Sequence, residues 1–352
     1  MDAKELFREA IEQDVTDIFV VAGVPLAYKI RGKIGLRDTN RLMPEKTMEL
    51  IEAIYVLANR DTRNLSEKGD DDFSFSIPQV GRFRVNTYKQ RGSQAAVIRV
   101  VQFELPNIET LGIPKQVIDL YKRTKGLVLV TGPAGSGKST TLSCIINQIN
   151  KTRASHIITL EDPIEFIHKH AKSIVSQREI GTDTTSYVQG LRAALREAPD
   201  VILLGEMRDF ETIHIAMTAA ETGQLVLGTL HTLGAANTVD RIIDVFPANQ
   251  QQQIRTQLSM VLQAIVSQQL IPGKDGGVLP VFEVVFVNSA IRNMIRESKM
   301  HQIDSVVFAA KDEGMCNMDS SIIKLYQEGK ITADNAIAYS INHEAMGKKM
   351  RG

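Results

Sequence analysis

Hydrophobic and polar positions follow one rhythm in the first hundred residues of this chain and another after about residue 115. Leu6, Phe7, Ala10 and Ile11 form a helical stripe, and Glu45–Ala58 predicts a second helix. Patches at Asp17–Val21, Leu26–Ile30, Phe73–Ile77, Arg82–Lys89 and Gln94–Val101 predict strands. Turn signals at Pro78-Gln79-Val80-Gly81 and Arg91-Gly92-Ser93 separate the last three, and strands on turns that short pair antiparallel. Residues 1–103 are therefore expected to form a small α+β domain. In residues 104–114 two prolines and a glycine break any element, which predicts a linker.

From 115 to 352 strands alternate with helices, the pattern of a parallel α/β sheet. Strands are predicted at Leu127–Thr131, His156–Leu160, Val201–Leu204 and Leu225–Thr229, and helices at Lys138–Asn150, Ser186–Glu197, Glu211–Glu221 and Ala235–Val245. A long helix is expected from Gln250 to Leu270, because Ile254, Leu258, Val261, Leu262, Ile265 and Val266 keep helical spacing. A hairpin ending near Val287 and several short helices from about Ser289 complete the reading.

Candidate chemistry falls on the ends of those parallel strands. Gly132-Pro133-Ala134-Gly135-Ser136-Gly137-Lys138-Ser139, followed by Thr140, fits G-x-x-x-x-G-K-[ST] between a strand and a helix. Glycines let successive N–H groups turn toward phosphate oxygens at a helix N-terminus, so the loop predicts nucleoside triphosphate binding. Lys138 is expected to reach the β- and γ-phosphates and Ser139 to ligate Mg²⁺. The second strand runs into Glu161-Asp162-Pro163-Ile164-Glu165, the third into Gly205-Glu206-Met207-Arg208-Asp209, and the fourth into His231. Open parallel sheets bind ligands beyond these carboxyl ends. Phosphoryl transfer needs a placed water and metal-borne charge neutralisation. Glu161 is the expected base for the water, and Glu206 is expected to hold Mg²⁺ through its water shell. His231 has two open roles, as a γ-phosphate sensor or as a strand-end histidine held by a hydrogen bond. Asp162 and Glu165 could simply brace their loop.

Composition narrows the class. Hydrophobic content of 43% and charged content of 23% suit a globular chain of 352 residues, about two domains. Lys+Arg and Asp+Glu stand at 41 each, so no net field draws the chain to nucleic acid or an acidic membrane. With no tryptophan and no basic-aromatic platform, a nucleic-acid translocase is the weaker reading. Two cysteines, Cys144 and Cys316, without paired spacing suit a reducing cytoplasm and cannot form a four-cysteine zinc site. Neither a signal-peptide core nor a spanning apolar run is visible, so any membrane association is expected to go through a partner.

Gly132–Thr140, His156–Phe166, Leu191–Asp209 and Thr222–Thr232 together resemble the P-loop, aspartate box, atypical Walker B region and histidine box of the secretion-type traffic ATPases. Within them the chain looks like the type IV pilus retraction ATPases, nearly end to end, including Gly81–Asn86 and a segment at Ala290–Glu297 associated with retraction. The resemblance implies a PAS-like first domain, a RecA-like ATPase domain and a homohexamer working with a pilus inner-membrane platform protein. It places the catalytic glutamate on Glu161 and the atypical Walker B glutamate on Glu206. An accessory retraction paralogue and a pilus assembly or type II secretion ATPase are the neighbouring readings. Those assembly and secretion enzymes typically carry an extra N-terminal domain and a four-cysteine zinc motif; with the first expected domain starting at residue 1 and two cysteines in the sequence, the retraction reading is the expected one. A nucleotide-switched scaffold would not require a placed catalytic carboxylate.

Phosphoryl transfer also gains from a cation delivered to the transition state, in cis or from a neighbour. Arg82 and Arg84 alternate on one strand and share a face, either as arginine fingers or as a charged strand edge.

Overall fold

The computed structural model describes residues 2–30, 32–101 and 107–351. They divide into two compact units, one reaching residue 101 and including Pro163–Ile167 and Gly181–Asp183, the other holding the remainder. Residues 102–106, which include the first three of the expected linker 104–114, lie outside the described residues.

The first unit is an antiparallel sheet of β1 (Asp17–Val20), β2 (Pro25–Ile30), β3 (Lys33–Arg41), β4 (Asp70–Ile77), β5 (Gly81–Gln90) and β6 (Ser93–Val101). Their order is β3-β2-β1-β6-β5-β4. In β4, Asp71, Phe73, Phe75 and Ile77 point inward, with period two. Helix Ala3–Glu12 adds Leu6, Phe7 and Ala10 to that core, and helix Pro44–Leu57 adds Leu50, Ile51, Ile54 and Tyr55. Asp71 is buried but held by Arg60 Nε and Nη2 at 2.8 Å each and by the Tyr55 hydroxyl at 3.1 Å. Strand β3 went unpredicted because its residues are mostly exposed on both faces, and a strand without a buried side carries no alternation.

The second unit has seven strands: β7 (Gly126–Thr131), β8 (His156–Glu161), β9 (Ile174–Glu179), β10 (Val201–Leu204), β11 (Leu225–Leu230), β12 (Leu262–Pro272) and β13 (Val278–Phe286). The order is β13-β12-β7-β11-β10-β8-β9, and only β13 runs antiparallel to its neighbour. Buried on both faces, β7, β10 and β11 read as continuous apolar runs. Val128 and Val130 pack on one face with Leu142, Ile145 and Ile149 of helix Lys138–Thr152. Leu127 and Leu129 pack on the other with Ile213, Met217, Val239 and Leu258 from helices Phe210–Glu221, Ala235–Asp244 and Gln251–Val261.

The expected helix Gln250–Leu270 is corrected here. Its first half is the helix Gln251–Val261, whereas Leu262 begins β12, which inserts between β7 and β13. Apolar positions four apart occur equally in a strand buried on both faces, and the β-branched pair Ile265-Val266 favours the strand. Ser267, Gln268 and Gln269, which a helix would have put partly in water, are all buried.

Beyond the sheet lie helices Ser289–Arg296, Ile303–Ala309, Met318–Gln327, Ala333–Tyr339 and His343–Arg351. No helix among the described residues is long and apolar enough to cross a membrane. In helix Ser289–Arg296, Arg292 is tied to a neighbouring helix. Its guanidinium donates to the Ser259 carbonyl at 2.6 Å and the Met260 carbonyl at 3.0 Å, two of the unpaired acceptors ending helix Gln251–Val261. A cation there also meets the negative end of the helix dipole. Arg292→Ala should therefore cost about 1 kcal/mol and lower the unfolding midpoint by a few degrees. The exposed Arg296 makes no such contact, and Arg296→Ala should leave that midpoint in place; thermal unfolding of both variants checks this.

Candidate nucleotide site

The strand order places the sequence-derived candidates along one sheet edge. Parallel neighbours β7, β11, β10 and β8 end, in that order, at the glycine loop, at His231, at Gly205-Glu206 and at Glu161. In the loop, Gly132, Gly135 and Gly137 adopt φ of 145°, 74° and 86°, which favour glycine. A Cβ on Gly132 would also lie 2.1 Å from the Gln268 carbonyl oxygen, and one on Gly137 would lie 2.8 Å from Gln268 Nε2. Pro133, Ala134 and Gly135 are exposed at the rim, while Ser136 and Lys138 are buried and Ser139 and Thr140 half-buried. Lys138 Nζ donates to the Gly132 and Pro133 carbonyls at 2.9 Å each. Ser136 Oγ is buried without a hydrogen-bond partner among the described residues. A left-handed glycine cradle, a buried ammonium and an orphaned hydroxyl at the start of a 15-residue helix fit a polyphosphate. Ser139, in the first turn, has the hydroxyl that a phosphate-bound Mg²⁺ would take; its remaining ligands would be phosphate oxygens and water.

Glu161 ends β8, 8% exposed. Its Oε1 accepts from Thr159 Oγ1 at 2.6 Å and from Gln177 Nε2, on β9, at 3.2 Å. Asp162 and Glu165 are exposed. Glu206 Oε1 lies 3.0 Å from His231 Nε2 and 2.5 Å from Arg208 Nε, so two candidates read separately from sequence touch. That pairing follows from β10 and β11 being neighbours: the Met207 amide donates to the Thr229 carbonyl at 3.0 Å, and Met207 packs against Gly228. Glycine at 205, where an acid is more usual, is explained sterically. A Cβ there would meet the Tyr187 hydroxyl at 2.9 Å, the Leu160 carbonyl at 3.2 Å and Glu161 Cα at 3.3 Å. The Glu206 carboxylate is thus carried one residue later.

Tyr187, Gln177 and Gln268 escaped the sequence reading. Burial, reinforced by the Asp162, Glu206 and Glu161 carboxylates, pushes the Tyr187 phenol well above its ordinary range, so it remains an O–H donor. Gln268 Oε1 accepts from Thr141 Oγ1 at 2.8 Å and stands behind the glycine loop, on the strand whose apolar spacing predicts a helix. Arg82 and Arg84 lie in the first unit, half-buried on one face of β5 opposite Phe83 and Val85. Arg84 Nη2 pairs with Asp72 at 2.7 Å, and Arg82 Nη1 donates to Ser76 Oγ at 3.2 Å.

His168 adds a pH-dependent contribution beside this edge. It is buried, its Nδ1 has no hydrogen-bond partner among the described residues, and its amide donates to Gln177 Oε1 at 2.7 Å. Burial pushes its imidazole down to about 4. The unfolded chain therefore binds this proton first, and stability is lost as pH falls from about 6.5 toward 4, by up to roughly 3 kcal/mol. His168→Asn should flatten that part of the curve, measured as unfolding midpoint against pH.

The profile of the family described as "Type II/IV secretion system protein" matches residues 2–335. The chain belongs to the type II/IV secretion system protein family. Within it, the chain is 42% identical over 337 residues to the type IV pilus retractation ATPase PilT of Pseudomonas aeruginosa, covering 96% of this chain and 97% of that one. It is 46% identical over 313 residues to a twitching motility protein of Neisseria gonorrhoeae, covering 88% and 84%. A crystal structure of the pilus retraction motor PilT with bound ADP superposes with a TM-score of 0.90 at 48% identity, covering 98% of both chains. For a type II/IV secretion system protein the P-loop edge is the expected nucleotide site, and the ADP belongs to that solved relative.

Proposed function

We propose that this chain is an ATP-hydrolysing motor that drives type IV pilus retraction. The observation that carries the reading is the single sheet edge on which the glycine cradle, Lys138, Glu206–His231 and Glu161 stand in strand order. The named likenesses supply the pilus. Residues 132–140 bind the triphosphate, with Lys138 on the β- and γ-phosphates. Ser139, and Glu206 through water, would hold Mg²⁺, which would supply charge neutralisation on the phosphates. Glu161 orients the water and takes its proton as oxygen attacks the γ-phosphorus; the bond to the β–γ bridging oxygen breaks, and ADP and phosphate leave. His231, in contact with Glu206, reports the γ-phosphate to the metal side of the site.

The reading extends to a PAS-like domain over 1–103, a linker at 104–114 and a RecA-like domain over 115–352, assembled as a homohexamer. The motor works in the cytoplasm, at the inner face of the membrane, on the platform protein of the pilus machinery. Deleting the gene should leave cells hyperpiliated and unable to twitch; cells without pili would point to an assembly motor instead.

Arg82 or Arg84 would complete a neighbour's site. Subunits carrying Arg82→Ala, mixed with Lys138→Ala subunits, should then recover ATPase activity above either parent. Demonstrated subunit exchange without recovery refutes delivery in trans and leaves the Asp72 and Ser76 contacts as the role of that face.

A further inference from the structure

Three buried polar side chains stand in register across β7, β12 and β13: Thr131, Ser267 and Glu283. Thr131 and Ser267 are 0% exposed and Glu283 6%, beside aliphatic neighbours such as Val130, Val266 and Val284. Buried polar groups cost stability unless they are paired, and a buried carboxylate costs most. Their partners show what holds them there. The Ser267 and Thr131 hydroxyls are 2.8 Å apart, and Thr131 immediately precedes the phosphate loop. Ser267 Oγ also accepts the Gly234 amide at 3.1 Å, and Glu283 Oε1 accepts the Ala235 amide at 2.7 Å.

Those two amides lie at the end of the short loop that begins with His231. Helix Ala235–Asp244 starts there with Gly234 as its N-cap, a residue with no side chain to satisfy the first helical N–H groups. Glu283, from a different strand, satisfies one of them and places its carboxylate at the positive end of the helix. The loop is held from inside as well: Thr238 Oγ1 donates to the Gly234 carbonyl at 2.8 Å and lies 2.8 Å from Thr232 Oγ1. The His231 side chain is 47% exposed, so its reach to Glu206 depends on where this loop is anchored.

We propose that Ser267 and Glu283 are positioning residues for His231, fixing the 231–234 loop to the strands beside the phosphate loop so that the imidazole meets Glu206. The proposal rests on the ATPase reading and deepens its account of His231. Glu283 Oε2 lies 3.4 Å from the Met318 amide, so the carboxylate also ties this anchor to the first turn of helix Met318–Gln327. Burial raises the Glu283 carboxyl above its ordinary range, in keeping with a group kept for position and against its solvation.

The test is steady-state ATP turnover by the full-length assembly carrying Ser267→Ala or Glu283→Gln, each made alone and combined with His231→Ala, with ADP affinity and unfolding midpoint measured alongside. With His231 present, each variant should lower kcat about five- to tenfold and leave KM and ADP affinity within about twofold. With His231 already alanine, either change should cost less than about twofold, because residues that act through one group are not additive. Equal losses in the two backgrounds would show a purely structural role and overturn the proposal, as would wild-type kcat in folded Ser267→Ala. Glu283→Gln must leave one of two buried amides without an acceptor. If that variant does not fold, Ser267→Ala, which removes only a hydroxyl, decides alone. The parent reading fails separately: an unmutated chain that does not hydrolyse ATP, or a His231→Ala chain as fast as it, rejects the role assigned to His231 and the proposal with it.

Discussion

Glu161→Gln should lower ATP turnover by about 10²- to 10⁴-fold while ATP still binds. The geometry makes this substitution unusually clean. Thr159 and Gln177 both donate to Oε1 of Glu161, and a glutamine there can keep its own carbonyl oxygen in their grip. Its amide nitrogen then occupies the other position, where it donates hydrogen bonds and cannot take a proton from water. Shape, burial and these two anchoring contacts survive, while the basic atom is lost. Single-turnover phosphate release, read beside equilibrium binding of a non-hydrolysable ATP analogue, separates the steps. Hydrolysis at the unmutated rate by a clean preparation would remove Glu161 from its role as base and move attention to Glu206.

Why could Glu161 be picked out from the sequence, when Gln177, Tyr187 and Glu283 could not? Residues at the glycine loop and strand ends are constrained by local geometry that leaves a readable trace. Gly132 and Gly137 combine positive φ with backbone or side-chain atoms where a Cβ would stand. The strands feeding the edge are buried on both faces and so appear as uninterrupted apolar runs. Tyr187 carries no such trace, because its hydroxyl reaches Gly205 only once helix Tyr187–Ala194 packs beside β8 and β10. Gln177 sits on an edge strand whose Ile174-Val175-Ser176-Gln177-Arg178-Glu179 run holds two apolar residues, too few for a strand signal. Ser267 and Gln268 were hidden by a different competition. Their strand shares its apolar spacing with a helix that does exist just before it, and only pairing with β7 and β13 decides between the two. Local chemistry was legible, whereas contacts made by the sheet's third dimension were not.

Lys138→Ala is expected to lose nucleotide as well as turnover, and the contacts of Lys138 predict how the losses divide. A charge-assisted hydrogen bond to phosphate is worth roughly 1.5–3 kcal/mol, or about ten- to a hundredfold in affinity. The same ammonium donates to the Gly132 and Pro133 carbonyls, so its removal also releases two acceptors at the loop's entrance. Alanine therefore combines lost charge with a loosened cradle, and Lys138→Met, which keeps the buried stem without the donor, separates packing from charge. Because Lys138 is assigned to the β- and γ-phosphates, both variants should weaken a non-hydrolysable ATP analogue more than ADP. Titration calorimetry with the two ligands reads that difference directly. If analogue and ADP weaken equally in Lys138→Met, the ammonium serves the loop and not the γ-phosphate. If neither weakens in a folded variant, this glycine loop is not the triphosphate site.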